Sequence, residues 1–174
     1  MDKYILESEK YSLGTDQIRG ITQGKCNILS YEHLEDYTHI DEVLGENNAC
    51  IILYQTKARF GHWVALIKNE QDVLTFFDSY GLQVDEELEF SMYNLKIHGN
   101  RATPHLSYLI NESGYKLIQN QFKLQSNISD VNTCGRWAGL FVRFRNMGLK
   151  KFQSLFIGQS QDPDYYVSAL TLLF

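Results

Sequence analysis

Between Ala49 and Tyr80 the chain alternates short apolar runs with polar breaks. "ACIILYQ" (Ala49–Gln55), "HWVALIKN" (His62–Asn69) and "VLTFFDSY" (Val73–Tyr80) are rich in β-branched and aromatic residues. The charged turn "NEQD" separates the last two. Runs of this length predict three strands, with the second and third joined as a hairpin. Their near-continuous apolar character predicts a sheet covered on both faces. Ahead of them the pattern is broken and polar, and the first 25 residues read as irregular chain with short elements. Ser30 and Glu32 suit the start of a helix over "SYEHLEDY". A second short helix is expected over Ile40–Leu44, stopped by Gly45.

Towards the C-terminus the helical period takes over. Pro104 suits the first turn of a helix over "PHLSYLINESG" that ends at Gly114. Tyr115–Gln125, "YKLIQNQFKLQ", alternates enough for another strand or strand pair. From Cys134, apolar residues fall at Trp137, Leu140, Phe141 and Phe144, the spacing of a buried helix face. Arg136, Arg143 and Arg145 are expected on its polar side. "LKKFQSLFIG" predicts a further amphipathic helix. "DPDYYVSALTLLF" predicts another, with Asp162 as N-cap and Pro163 at the first helical position. The sum is an α+β chain, a small sheet with helices packed on it and one helix central.

With 174 residues, 44% of them hydrophobic, the chain fits one compact domain over 1–174 with a sizeable core. There is no visible linker, repeat or low-complexity stretch. The formal net charge of -5 argues against whole-surface attraction to nucleic acid or anionic lipid. Lys150 and Lys151, near Arg143 and Arg145, leave room for a local basic patch. No apolar run is long enough to span a bilayer, and no signal-peptide pattern opens the chain. Three cysteines without a CxxC pair argue against a disulfide framework and a zinc site, and for a reducing compartment.

Candidate chemistry centres on "DVNTCGRWAGLF" (Asp130–Phe141). Asn132 and Thr133 are plausible caps, which puts Cys134 in the first turn of a helix. Unpaired N–H groups and the helix dipole there favour an anion, so a thiol becomes a better nucleophile. Gly135 has no side chain, so a substrate backbone could approach closely. The plain alternative is that Cys134 is a small buried hydrophobe. Partners decide between the two, because a nucleophilic cysteine needs a base and a group that orients the base.

Of five histidines, His33 and His39 fall in polar N-terminal helices, and His98 and His105 in a loop or helix start. All four are expected at the surface. His62 opens an apolar strand and precedes Trp63. Asp78 closes the next strand. If the two strands pair through "NEQD", the start of one lies beside the end of the other. Antiparallel geometry then brings Asp78 within reach of the His62 ring, where a carboxylate would fix the tautomer. Separately, Asp78 suits a turn before Ser-Tyr-Gly. An oxyanion hole needs amide donors. The N–H of Cys134 is one, and Gln119, Gln121 and Gln125 offer a second, Gln125 being nearest the cysteine. Cys26 in a loop and Cys50 in a buried strand read as structural.

The order His, Asp, Gln, Cys-Gly resembles the adenain-like cysteine proteases, which include the SUMO-processing proteases and the maturation proteases of adenoviruses and large DNA viruses. "GHWVALI", "TFFDSYG", a glutamine before the cysteine and "TCG" opening an apolar helix carry the resemblance, over roughly Ile51 to Phe144. "GHWV", "FFDSYG", "TCGRW" and "DPDYYVSALT" look most like the small proteases of virophages, Polinton-type elements and giant viruses. The resemblance implies a circularly permuted papain-like fold. Its sheet would be small and mostly antiparallel, with the nucleophile at the N-terminus of the central helix. His62 would be the base, Asp78 the acid, Cys134 the nucleophile and Gln125 the oxyanion-hole donor. Gln125 lies nine residues before Cys134, a longer step than the family usually shows, so either "SNISDVN" bulges as a loop or a different group completes the hole. Trp63 and Gly135 would line a narrow cleft for glycine-rich segments, with core packing the alternative for Trp63. No metal or cofactor is implied.

Three functions follow from this reading. The first is a viral endopeptidase acting on capsid or scaffold proteins in the virion and the host cytoplasm. The second is a protease for ubiquitin or SUMO conjugates. The third is a non-catalytic module that binds a protein partner, against which the presence of His62, Asp78 and Cys134 argues. A peptide activator fits the family pattern. The net charge argues against DNA activation, while the basic strip from Arg143 to Lys151 keeps it open.

Overall fold

The computed structural model describes residues 2–57, 60–89 and 103–174. His98 lies outside them. Five strands form one sheet: β1 (Asn27–Ser30), β2 (Ala49–Lys57), β3 (Phe60–Lys68), β4 (Val73–Phe77) and β5 (Lys116–Gln119), side by side in chain order. The helices are α1 (Asp2–Ser8), α2 (Thr15–Thr22), α3 (Ile40–Leu44), α4 (His105–Ser113), α5 (Cys134–Arg143), α6 (Leu149–Ser154) and α7 (Pro163–Thr171).

Period-two alternation sorts the strands into two cores. Ala49, Ile51 and Leu53 of β2, with Trp63, Ala65 and Ile67 of β3 and Phe77 of β4, face α2, α5, α6 and α7. Cys50, Ile52 and Tyr54, with Val64, Leu66, Leu74 and Phe76, face α3, α4 and the 3-10 turn at Tyr31–Asp36. This is why the three strands read as continuously apolar: both faces are buried. On the first face Phe77 stacks on Phe141 at 4.6 Å and meets Phe152 edge-on at 5.4 Å. Such pairs each add about 0.5–1.5 kcal/mol beyond the area they bury.

The sheet is antiparallel only at its centre. β2–β3 and β3–β4 are antiparallel, but both edge strands run parallel to their neighbours. The reason is connectivity: α4 lies between β4 and β5, and a helical crossover brings the chain back in the same direction. The expected mostly antiparallel sheet is corrected accordingly. Only Lys116–Gln119 of the Tyr115–Gln125 stretch pairs, and the residues beyond it leave the sheet. The N-terminal 25 residues are more ordered than their pattern promised, forming α1 and α2. Helices of seven and eight residues are marginal alone. Ile18 and Ile21 of α2 hold it on the first core.

A second correction concerns α5. Arg136 is not on a polar face. It is 5% exposed, donating to Thr171 Oγ1 at 2.8 Å and to the Ser8 carbonyl at 3.1 Å. The helix is buried from Cys134 to Val142, because α2 and α7 cover the sides the sheet leaves free. α7 begins as its sequence predicts, with the Asp162 side chain accepting from the Asp164 N–H and Pro163 in the first turn.

Candidate active site

The site forms where β3 begins and β4 ends. Their register pairs Ala65 with Phe77. Continued past the strand, it sets Val64 opposite Asp78 and His62 opposite Tyr80. His62 and Asp78 are thus diagonal neighbours on one face, within reach of each other's side chains. His62 Nε2 lies 2.9 Å from Asp78 Oδ2, with the two residues 5% and 1% exposed. The Tyr80 ring stacks on the imidazole at 4.8 Å. The other Asp78 oxygen accepts the Tyr80 N–H at 2.6 Å. Asp78 therefore forms the turn and holds the histidine at once.

Cys134, also 5% exposed, starts α5, and its sulfur lies close enough to the same imidazole to favour the ring's charged form. With Nε2 on Asp78, Nδ1 is the nitrogen left for the thiol. Burial alone would push the His62 pKa down. The Asp78 carboxylate, and after it the Cys134 sulfur, outweigh that and hold it well above its usual value. The first-turn amides of α5 lack helical partners. Thr133, at the N-cap, makes no side-chain hydrogen bond to them; its hydroxyl goes to Asp164.

Gln125 is 2% exposed, and its segment lies along the turn after β4. The Leu124 and Gln125 N–H groups both donate to the Ser79 carbonyl, at 2.8 and 2.9 Å. Asn120 Nδ2 donates to the Asp78 carbonyl at 2.5 Å. Ser79 Oγ donates to Gln125 Oε1 at 2.7 Å, and Gln125 Nε2 donates to Tyr80 Oη at 3.1 Å. The amide thus meets the ring that stacks on His62. Gln119 sits elsewhere, accepting from the Val84 N–H, and Gln121 is exposed.

Trp63 packs into the core and also borders a groove. It is 7% exposed and its indole N–H donates to the Leu13 carbonyl at 3.1 Å, yet it lines a groove of about 650 Å³ with Leu13, Leu53 and Gln55. Gly135 is a correction. Its open side is filled by packing: a Cβ there would sit 3.2–3.3 Å from Leu13, Trp63 and Ile18. Its small size lets α5 close on the sheet and on α2. A second groove, of about 570 Å³, lies beyond Tyr80, with Glu87, Val131 and Asn132 among its walls. Asn132 is tied to the N-terminal segment, its N–H donating to the Glu9 carbonyl at 2.7 Å and Nδ2 to the Lys10 carbonyl at 2.9 Å.

Sequence reasoning missed Tyr80, Ser79 and Glu87. Tyr80 was findable by running the hairpin register two residues further. Glu87 sits in the acidic run "DEELE", which carries no mark of a buried role. Its carboxylate comes within 4.8 Å of the His62 and Asp78 ligand atoms. Burial raises its pKa, and Asp78 adds to this while His62 opposes it. Of the basic strip, Arg143 donates to the Ile21 carbonyl and lies over the Phe174 ring, and Arg145 donates to the Lys25 carbonyl. His33 lines the first groove, and His105 lies 3.4 Å from Glu35. No described helix is long and apolar enough to cross a membrane.

No family profile matches the sequence. Uncharacterized protein V9 of Sputnik virophage is 34% identical over 145 residues, which cover 83% of this chain and 83% of V9. Among solved structures, the pS273R protease of African swine fever virus (ASFV) superposes with a TM-score of 0.53 at 14% identity. The match takes in 97% of this chain and 69% of that one. At that identity the likeness is one of fold.

Proposed function

The chain belongs to the family of the Sputnik virophage protein V9, and from that membership and the site's geometry we propose that it is a cysteine endopeptidase. The observation that carries the reading is the convergence of the Asp78–His62 pair on a cysteine at a helix N-terminus. Its fold, shared with a viral protease, agrees with it. In this reading residues 1–174 act as one protease domain.

His62 holds Cys134 as a thiolate–imidazolium pair, with Asp78 opposite to balance the charge. The thiolate attacks the scissile carbonyl. The oxyanion is met by the Cys134 N–H and the Gln125 amide. His62 then protonates the leaving amine, and water activated by His62 hydrolyses the thioester. The substrate polypeptide runs through the grooves beside Trp63 and beyond Tyr80, with glycine next to the scissile bond. Its proposed substrates are capsid or scaffold proteins, cleaved during particle assembly in the virion or the host cytoplasm.

Incubation with an unfolded protein mixture, followed by mass-spectrometric mapping of new N-termini, tests this. New termini next to glycine, absent with Cys134→Ala, are expected. Cleavage of diubiquitin or SUMO conjugates with no other new termini would move the activity to modifier processing. No cleavage of either kind would contradict the reading.

A further inference from the structure

We propose that Asp164, at the start of α7, is a positioning residue that holds the oxyanion-stabilising groups in register with the nucleophile; this rests on the protease reading above. Asp164 is 1% exposed. One carboxylate oxygen accepts from the Thr133 hydroxyl and from Trp137 Nε1, the latter at 2.8 Å. The other accepts the Ser126 N–H at 2.7 Å. Thr133 immediately precedes Cys134, and Ser126 immediately follows Gln125. A single carboxylate therefore bolts together the two segments that supply the oxyanion donors. The intervening loop, residues 127–132, lies within the nine-residue step from Gln125 to Cys134 in which this chain departs from the family's spacing. Across that loop the carboxylate ties Ser126 to Thr133, alongside the contact of Gln125 Nε2 with the Val131 carbonyl at 3.5 Å.

A second effect follows from the same contact. A threonine at the N-cap ordinarily turns its oxygen onto the first-turn amides. Here its hydroxyl donates to Asp164, and no side chain caps α5. The first-turn amides are left for an incoming anion. A carboxylate buried this deeply is costly unless its lone pairs are satisfied, and a packed apolar residue would be cheaper for stability alone. Burial does push its carboxyl pKa up, and the donors from Thr133, Ser126 and Trp137 draw it back. Asp164 does not touch His62, whose ring is held by Asp78 from the other side of the site. The base and the oxyanion donors are thus held by two different carboxylates.

That separation makes the proposal testable without knowing the natural substrate. Alkylation of Cys134 by iodoacetamide needs the thiolate but no oxyanion hole. Acylation by p-nitrophenyl acetate needs both. Both rates would be measured across pH for the wild type, Asp164→Asn and Thr133→Val. The expected result for Asp164→Asn is acylation slowed about 10- to 100-fold, with the alkylation rate and its pH profile unchanged. Thr133→Val removes one of the donors and should shift the same ratio in the same direction by less; it decides the matter if Asp164→Asn fails to fold. Parallel loss of both rates in both variants would reduce Asp164 to a structural residue and overturn the proposal. So would an unchanged ratio in both. A wild-type Cys134 that alkylates no faster than a free thiol would overturn the protease reading, and this inference with it.

Discussion

At His62 two opposed effects meet in one ring. Burial disfavours the imidazolium, while the Asp78 carboxylate at 2.9 Å and the Cys134 sulfur favour it. The charges win, because a buried opposite charge at hydrogen-bond distance is screened little. A raised folded-state pKa has a definite sign for stability. The contribution is fully present below the unfolded value near ~6.5 and is lost as pH rises through the higher folded value. Asp78→Asn removes the countercharge and leaves the burial. Its His62 should titrate, by NMR of the ring, at a lower pH than in the wild type. Peptide hydrolysis should fall roughly 100- to 10,000-fold. An unchanged His62 titration in that variant would mean that Asp78 only shapes the turn at Tyr80.

The strand β3 delivers His62 to the site, and the residue before it makes that delivery possible. A Cβ on Gly61 would lie 1.9 Å from the Tyr54 carbonyl oxygen of β2, a backbone atom that cannot swing aside. Gly61→Ala should therefore force β3 away from β2 and destabilise the chain by about 3 kcal/mol. In thermal unfolding the midpoint would drop by roughly 6–12 °C. The hairpin, its "NEQD" turn and the helix from Cys134 were legible because their apolar periods are long and bounded by clear breaks. β1 was not: four residues at a sheet edge carry too little period, and its parallel pairing depends on distant chain. α1 and α2 were missed for a related reason, since packing rather than propensity makes them helical. Within the site, His62, Asp78 and Cys134 could be singled out from register and helix position. Tyr80 lay on the same register two residues further along, whereas Asp164 could not be found, because what it does depends on a loop whose path no local pattern dictates.

In the whole molecule, the two layers divide the labour. The face carrying Phe77 packs α5 and so fixes where Cys134 stands, while the hairpin end, sheltered by the residues around Glu87, fixes the base. The sheet is thus a ruler between nucleophile and base. That arrangement is read most directly through thiol reactivity. The other two cysteines serve as internal controls, since burial pushes the pKa of both Cys26 and Cys50 up. Limiting iodoacetamide at about pH 6 lies more than two units below the ~8.5 of a free thiol, so an unactivated cysteine reacts slowly. Peptide mapping should find Cys134 labelled rapidly and alone, and the labelling should vanish in His62→Ala. Slow, equal labelling of Cys26 and Cys134 in the wild type, or rapid Cys134 labelling that survives His62→Ala, would contradict a thiolate–imidazolium pair.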